Sequence, residues 1–552
     1  MIRRALLVAA MLASAQALAQ QPVIPPGADP GAIQQRQIEE ERRRREAERE
    51  RFRPSEPVKR DALERPAAPP PADAVRFLVR EIEFTPSAIL SAVELEAIAA
   101  EFRGRQLTLA DLQQLAERVN ALYRAKGVVT ALALIPPQDV SSGVVRVRLV
   151  EGRVGRISIE GNASTRADYI ADRLRLEPAD LVDLDRLEQA LVRFNRSNDV
   201  QLRAELRPGR EPGTTDLQIG VSEPPRHDLR LTLDNSGSSS TGVWRGGISY
   251  LNRSLLGYRD DLSLSLTKTG GQDSRAYGYG FPFNTWGGRL NLARYEDKTA
   301  IRHGLLESLR ITGESNASVL SLRQPAYVGE HAQVDVLAGA KKRSSSNWID
   351  GVFLQRTRTS DRNLGAEVQS FGEKARWLAS YARYWGQATV IERTKFAIDR
   401  GALRHSRELG SGWSFRGNLS WQATRDRNLP SSEQFFLGGE GSVRGYPVGT
   451  RAGDRGYALN LELHHPLYRV SEEGRQLNAT GFFFADHGSV KPFLPPNSSL
   501  PADERLRSIG WGLQATLDTR VHARITFGYG LRDIPLSPRH YQVHFQLVAS
   551  VF

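Results

Sequence analysis

From residue 226 to residue 552 the chain keeps a two-residue rhythm and never sustains an apolar run long enough to make a membrane helix. Leu229, Leu231 and Leu233 alternate with polar neighbours, as do Leu262, Leu264 and Leu266. The pattern returns at Trp413 to Trp421, Tyr457 to Leu463, Ile509 to Leu517 and Tyr541 to Val551. Side chains two apart on a strand share a face, so each segment reads as a strand with one apolar and one polar side. The polar sides carry Arg, Ser, Asn, Asp and Gln. An array of soluble sandwiches needs a fresh two-sided core about every hundred residues. Here one pattern runs throughout, with aromatics near strand ends. It predicts a transmembrane antiparallel β-barrel with a polar lumen. A tilted spanning strand takes roughly 9–11 residues, and a similar allowance for loops gives about 16 strands over residues 226–552.

The first 225 residues follow different rules. Residues 1–19 carry Arg3 and Arg4, the short apolar run Ala5–Ala13 and the small-residue site Ala17-Leu18-Ala19, which together read as a secretory signal peptide. Within residues 20–55, the stretch Gly31–Arg53 holds eight Arg and six Glu and almost nothing apolar. Glu39–Arg43, Glu40–Arg44 and Glu41–Arg45 stand at i,i+4 in the favourable order. With no apolar stripe this segment is either an isolated polar helix or a solvated charged tail. Residues 56–75, with the prolines between Pro66 and Pro71, read as an extended linker.

Residues 76–152 and 153–225 read as two copies of one β-α-α-β-β unit. The first opens on Phe77–Phe84 as one alternating strand. Helices follow at Ala92–Phe102 and Leu109–Ala125, the latter with Leu112, Leu115, Val119 and Leu122 on one face, and strands at Val128–Ile135 and Val144–Val150 close it. The second repeats the order with Gly155–Glu160, Thr165–Leu176, Leu184–Asn195, Val200–Leu206 and Thr215–Val221.

The chain has no cysteine, which removes disulfides, thiolate metal sites and Cys nucleophiles. Its net charge of +12 would suit nucleic acid, an anionic membrane or an acidic partner. The arginines are spread along the whole length rather than gathered into a module, which argues against nucleic acid. There is no G-x-S-x-G elbow, P-loop, H-E-x-x-H helix or EF-hand loop. His464 and His465 are adjacent on one strand, so their rings face opposite sides and do not share a metal. Neither a catalytic residue, a metal site nor a cofactor is expected.

The informative stretch is Leu429 to Tyr446, LPSSEQFFLGGEGSVRGY, between two predicted strands. Gly445 beside Arg444 permits a tight turn against another surface. A buried Arg444 requires a carboxylate or several other acceptors, and Asp486, within the strand GFFFADHGSV (Gly481–Val490), is the best candidate. Either the two pair and fasten the loop inside the lumen, or both are solvated charges. Val443-Arg444-Gly445-Tyr446, preceded by FFLGG, resembles the loop-six signature of the Omp85 superfamily. Asp486 followed by Gly488, on the strand that opens at Gly481, resembles its second motif. Asp234–Leu266 resembles the first barrel hairpin of the TpsB transporters of two-partner secretion, and so does the plan of signal, helix, Pro-rich linker, two POTRA modules and barrel.

The resemblance implies an outer-membrane translocator of a Gram-negative bacterium. Its periplasmic POTRA modules (76–152 and 153–225) would receive an unfolded exoprotein of the TpsA type and pass it through the barrel without ATP. Residues 20–55 would be a plug helix in the lumen, and Arg444 with Asp486 the ion pair that holds the loop. Further partners implied are outer-membrane lipid and the barrel-assembly machinery during biogenesis. The alternatives are an Omp85-type assembly factor and a passive porin. Phe552 matches the C-terminal aromatic of such barrels but is out of phase with the stripe Tyr541–Val551, so either the last strand bulges or Phe552 faces inward.

Overall fold

The computed structural model describes residues 29–51, 58–59 and 76–552, apart from residues 127, 129, 179, 182, 212–213, 473–474, 494–503, 519 and 535–539. The expected signal peptide, residues 1–19, and nearly all of the expected linker, residues 56–75, lie outside the described residues.

Helix α1, Pro30–Arg51, is real. Asp29 caps it, its Oδ1 accepting from the Ala32 amide at 2.8 Å, and Pro30 takes the first helical position, where its missing N–H costs nothing. In the first module, α2 (Ala92–Phe102) and α3 (Leu109–Ala125) both begin with capping boxes, Ser91 with Glu94 and Thr108 with Asp111. Leu95, Ile98 and Phe102 from one helix and Leu112, Leu115, Val119 and Tyr123 from the other bury against Val145, Val147 and Leu149. The single strand expected over Phe77–Phe84 is broken at Arg80. Phe77–Val79 pairs with Arg105–Leu107, whereas Glu81–Phe84 runs parallel to Val144–Val150. Alternation continues through such a break, so the sequence pattern does not reveal it. In the second module, α4 (Ala167–Leu174) and α5 (Leu184–Ser197) pack on the strands Arg153–Glu160, Gln201–Pro208 and Thr214–Ser222 around their own core.

Sixteen antiparallel strands then close into a barrel. They are β1 (His227–Asp234), β2 (Arg245–Asn252), β3 (Asp261–Lys268), β4 (Gln272–Pro282), β5 (Arg289–Ala300), β6 (Ile311–Val328), β7 (Ala332–Ile349) and β8 (Val352–Phe371). The second half is β9 (Ala375–Thr389), β10 (Arg393–Gly410), β11 (Trp413–Thr424), β12 (Arg455–Glu472), β13 (Arg475–Lys491), β14 (Glu504–Leu517), β15 (Val521–Gly530) and β16 (Tyr541–Ser550). Leu231, Leu264, Leu292, Leu364, Leu461 and Trp511 are exposed on the outer face, as the stripes predict. The seam between β1 and β16 has five registered pairs, Arg230–Asp234 against Gln546–Ser550. The Asn235 side chain extends it, donating to the Val543 carbonyl and accepting from the Phe545 amide. Neither expectation for Phe552 holds: β16 ends at Ser550, and Val551 and Phe552 lie beyond it, exposed.

The second module is clamped to the turns at the end of the barrel where β1 begins. Arg259, in the β2–β3 turn and 1% exposed, holds Asp199 through both ends of its guanidinium, with Nε to Oδ1 at 3.0 Å. Arg173 donates to the Asn284 carbonyl in the β4–β5 turn, and Arg196 to the Glu330 carbonyl in the β6–β7 turn. The Arg196 guanidinium also lies 3.6 Å from the Phe371 ring centroid at the end of β8. Glu223 binds the amides of Ser164 and Thr165 at 2.8 and 2.9 Å. Burial disfavours its charge, but these donors outweigh that and hold its carboxyl below the ordinary range. Its contribution to stability is therefore full at neutral pH and is lost as pH falls through the lowered value.

Arg259→Ala leaves Asp199 and Ser164 without this partner inside the junction. Asp199 is partly exposed and keeps Arg253 at 3.8 Å, so the loss is that of charge-assisted hydrogen bonds, about 1.5–3 kcal/mol. The expected result is a second module that is cleaved much faster by added protease while the barrel stays resistant, read by limited proteolysis.

Candidate functional site

The long connection between β11 and β12 folds back into the lumen. A short 3₁₀ turn, Ser431–Glu433, leads into Phe435–Leu437, which pairs with Arg451–Gly453. Leu437, Val443 and Tyr446 bury against Ala458, Val490 and Leu506 of the wall. Between these anchors sits Val443-Arg444-Gly445-Tyr446.

Arg444 is 2% exposed and its partner Asp486 is 4% exposed, so the pair is buried rather than solvated. Arg444 Nε reaches Asp486 Oδ2 at 2.9 Å, Nη2 reaches Oδ1 at 2.6 Å, and the Arg444 amide donates to Oδ2 at 3.0 Å. This two-pronged geometry is the strongest that arginine makes with a carboxylate. Asn460 and Ser508 donate the remaining bonds to Asp486, at 2.8 and 3.1 Å. Nη1 of Arg444 binds Glu462, which also takes Arg524 at 3.1 Å and the His464 ring at 2.7 Å. The guanidinium lies 3.6 Å from the Phe484 ring centroid. The Tyr446 hydroxyl donates to the Arg507 carbonyl and accepts from the Arg532 amide, both at 3.0 Å.

Glycines let the loop lie flat on β15. A methyl at Gly445 would stand 2.6 Å from the Gly530 nitrogen, and one at Gly528 would stand 2.7 Å from the Arg444 carbonyl carbon. Gly488 serves in the same way beneath Leu437 and Val443, whose side chains a methyl there would meet at 2.6 and 3.1 Å. Gly481 does not join the site. It lies on the outer side of β13, next to Leu467. Four residues that sequence reasoning missed, Glu462, His464, Asn460 and Ser508, complete the cluster. His465 points away, towards Trp413 at 4.6 Å.

The second cluster joins the loop to α1. Residues 29–35 are buried in the lumen. Gln34 donates to Asp297 of β5 at 2.7 Å and to the Ser315 carbonyl of β6 at 3.0 Å, and it accepts from Arg343 Nε of β7 at 3.1 Å. Gln35 accepts from Arg343 Nη2 at 2.7 Å and from Lys341 at 3.2 Å. The same two cations bind Glu433 of the loop, at 3.3 and 2.9 Å, and Arg400 of β10 adds a third contact at 3.3 Å. Further down, Glu40 meets Arg245, Glu41 meets the Tyr295 hydroxyl and Glu46 meets Arg404. Arg42 and Glu46 pair along the helix at 2.8 Å, but Glu40 and Glu41, which the sequence offers for such pairing, reach the barrel wall instead. Every one of these contacts is polar, which is why a helix without an apolar stripe seats here.

A sixteen-strand barrel with an in-folded Arg–Asp loop, a polar helix in its lumen and two α+β modules at its periplasmic mouth is the construction of an outer-membrane transporter. Residues 213–514 match the family of haemolysin secretion/activation proteins ShlB/FhaC/HecB, and residues 77–152 match the ShlB-type POTRA domain. The chain belongs to the ShlB/FhaC/HecB family. It is 27% identical to the outer membrane transporter CdiB of Dickeya dadantii, over 75% of this chain and 76% of that protein. It is 24% identical to the hemolysin transporter ShlB of Serratia marcescens, over 73% and 74%. Among solved structures, CdiB from Escherichia coli superposes with a TM-score of 0.66 at 21% identity, covering 94% of this chain and 98% of that one, and shares the fold. The protein is thus an outer-membrane transporter of the two-partner secretion type, its POTRA modules periplasmic.

Proposed function

We propose that the chain receives one unfolded exoprotein at its POTRA modules and releases it through the barrel once α1 has left the lumen. In this reading residues 20–55 are the plug, 56–75 the tether, 76–152 and 153–225 the receiving modules and 226–552 the pore. Outer-membrane lipid and, during biogenesis, the barrel-assembly machinery are its other partners. The polar seat of α1 carries the reading, because a polar-lined lumen held shut by hydrogen bonds can exchange its helix for a hydrophilic client at little cost in apolar burial. Neither ATP nor a redox group is required, since folding outside the cell draws the client outward.

The first module offers a place for the client to dock. Leu132 and Leu134 stand side by side on the outer strand of its three-stranded sheet, each 44% exposed, while Ala133 between them faces the core. An extended client is recognised at such an edge by backbone pairing and side-chain pockets. Replacing both leucines with Asp is expected to reduce release of a co-expressed partner exoprotein at least tenfold, with the module still folded by circular dichroism. The overall reading is tested by quantifying that exoprotein in culture medium with and without the transporter. Unchanged export, with the protein still present in the outer membrane, favours an assembly or passive channel role.

A further inference from the structure

The outer face of β12–β16 carries two bands that the transport reading does not use. The lower band is aromatic. Phe483, Ile509, Trp511, Phe527, Tyr529 and Tyr541 border an open groove of about 500 Å³. They adjoin in register: Phe483 opposite Trp511, Trp511 opposite Phe527, Ile509 opposite Tyr529, and Tyr529 opposite Tyr541. Gly510 and Gly528 also line it, and on the lumenal side of the same wall the Phe484 ring meets Arg444.

The upper band is cationic. Arg505 and Arg507 continue the outward stripe of Ile509, Trp511 and Leu513 towards the extracellular end of β14. His487 stands opposite Arg507, and Lys491 opposite Arg455 at the same end of β12 and β13. The outward positions of β13 and β14 include no acid among the described residues. Glu504 turns in to Arg451 at 3.1 Å, and Asp533, beyond β15, pairs with His540 at 3.0 Å. Arg507 is four residues from Trp511, or roughly 13 Å along the strand.

We propose that this face binds a phosphorylated, multiply acylated glucosamine lipid of the outer leaflet, its acyl chains in the aromatic groove and its phosphates on Arg505 and Arg507. Charge complementarity selects this occupant. Arginine holds phosphate by paired hydrogen bonds, whereas the ammonium of a zwitterionic phosphoethanolamine lipid would face like charges. Aromatic rings at the membrane interface supply an apolar body of the right depth. The proposal does not depend on the transport reading.

The test uses the full-length protein, purified in mild detergent and examined by native mass spectrometry with added diphosphoryl lipid A, dephosphorylated lipid A or phosphatidylethanolamine. The wild type is expected to retain one diphosphoryl lipid A at least tenfold more tightly than either of the others. R505A/R507A is expected to lose that preference, and Trp511→Ala to weaken retention of both forms of lipid A. Arg310→Ala, on a distant extracellular turn, is expected to change nothing. Equal retention of the three lipids by the wild type overturns the proposal, and so does an undiminished preference in R505A/R507A. The comparison of lipids on the wild-type chain requires no variant, so a misfolded barrel cannot mask the outcome.

Discussion

Arg444→Ala is expected to lower exoprotein release at least tenfold while the barrel still inserts and still migrates as a heat-modifiable band. The substitution deletes three guanidinium hydrogen bonds and leaves Asp486 buried with only Asn460, Ser508 and the loop amide of residue 444 as donors. Removing one partner of a buried pair costs about 3–5 kcal/mol, more than the net worth of the pair itself, because a charge is stranded. At about 1.4 kcal/mol per tenfold, even the lower figure shifts the loop's docking equilibrium by about two orders of magnitude. The strands are spared, because the β12–β13 and β13–β14 ladders pass through Asp486 by backbone bonds alone. Arg444→Lys keeps the charge but loses the planar fork, and an intermediate level of release is expected. Release at the wild-type level by an inserted Arg444→Ala barrel would remove the role assigned to the pair.

Deleting residues 20–55 is expected to raise single-pore conductance in planar bilayers several-fold. Helix α1 has 22 residues, about 33 Å at 1.5 Å per residue, and a width of roughly 10–12 Å. That length matches the hydrocarbon core of a membrane, about 30 Å, so its removal clears the lumen through its whole depth. Replacing Gln34 and Gln35 together with Ala tests the same idea more gently. It removes the helix side of the cluster around Arg343 while Glu433 still balances the cations. Brief openings to the high-conductance level should become more frequent in that variant. Conductance unchanged by the full deletion would mean that α1 does not obstruct the pore.

The barrel was legible because one face of every strand meets lipid, and a two-residue period has no helical competitor. The two helices of the first module were legible in approximate extent from apolar spacing such as Leu112, Leu115, Val119 and Leu122; the capping boxes that fix their first residues emerged from the structure. Arg444 and Asp486 were legible as a candidate pair because a buried arginine needs an acid or several acceptors, and the resemblance of their two motifs to the Omp85 superfamily favoured the pair over solvated charges. Glu462 and Glu433 were not. A lumenal strand position announces its face but not its partner, and Glu462 looks like any other polar wall residue. The contacts of Gln34 with Asp297 and Arg343 join positions 263 and 309 apart in sequence, and glutamine has no spacing rule that reveals them. Gly481 misled because it shares a strand with Asp486 but, five residues away, occupies the opposite face.

The clamp between the second module and the barrel makes the periplasmic mouth lopsided. Its contacts fall on the turns that join β2 to β3, β4 to β5 and β6 to β7, and on the end of β8. In the proposed reading this leaves an arriving chain the unclamped side of the mouth, beyond β8, where Arg404 of β10 holds Glu46 of α1. Glu46 is half-buried, whereas residues 29–35 are sealed. In the proposed reading, the helix would therefore leave by peeling from below rather than in a single jump. The client would displace the ion pairs of Glu46 and Glu40 first, and the glutamine seat, with its tie to the loop through Glu433, would be the last latch to open.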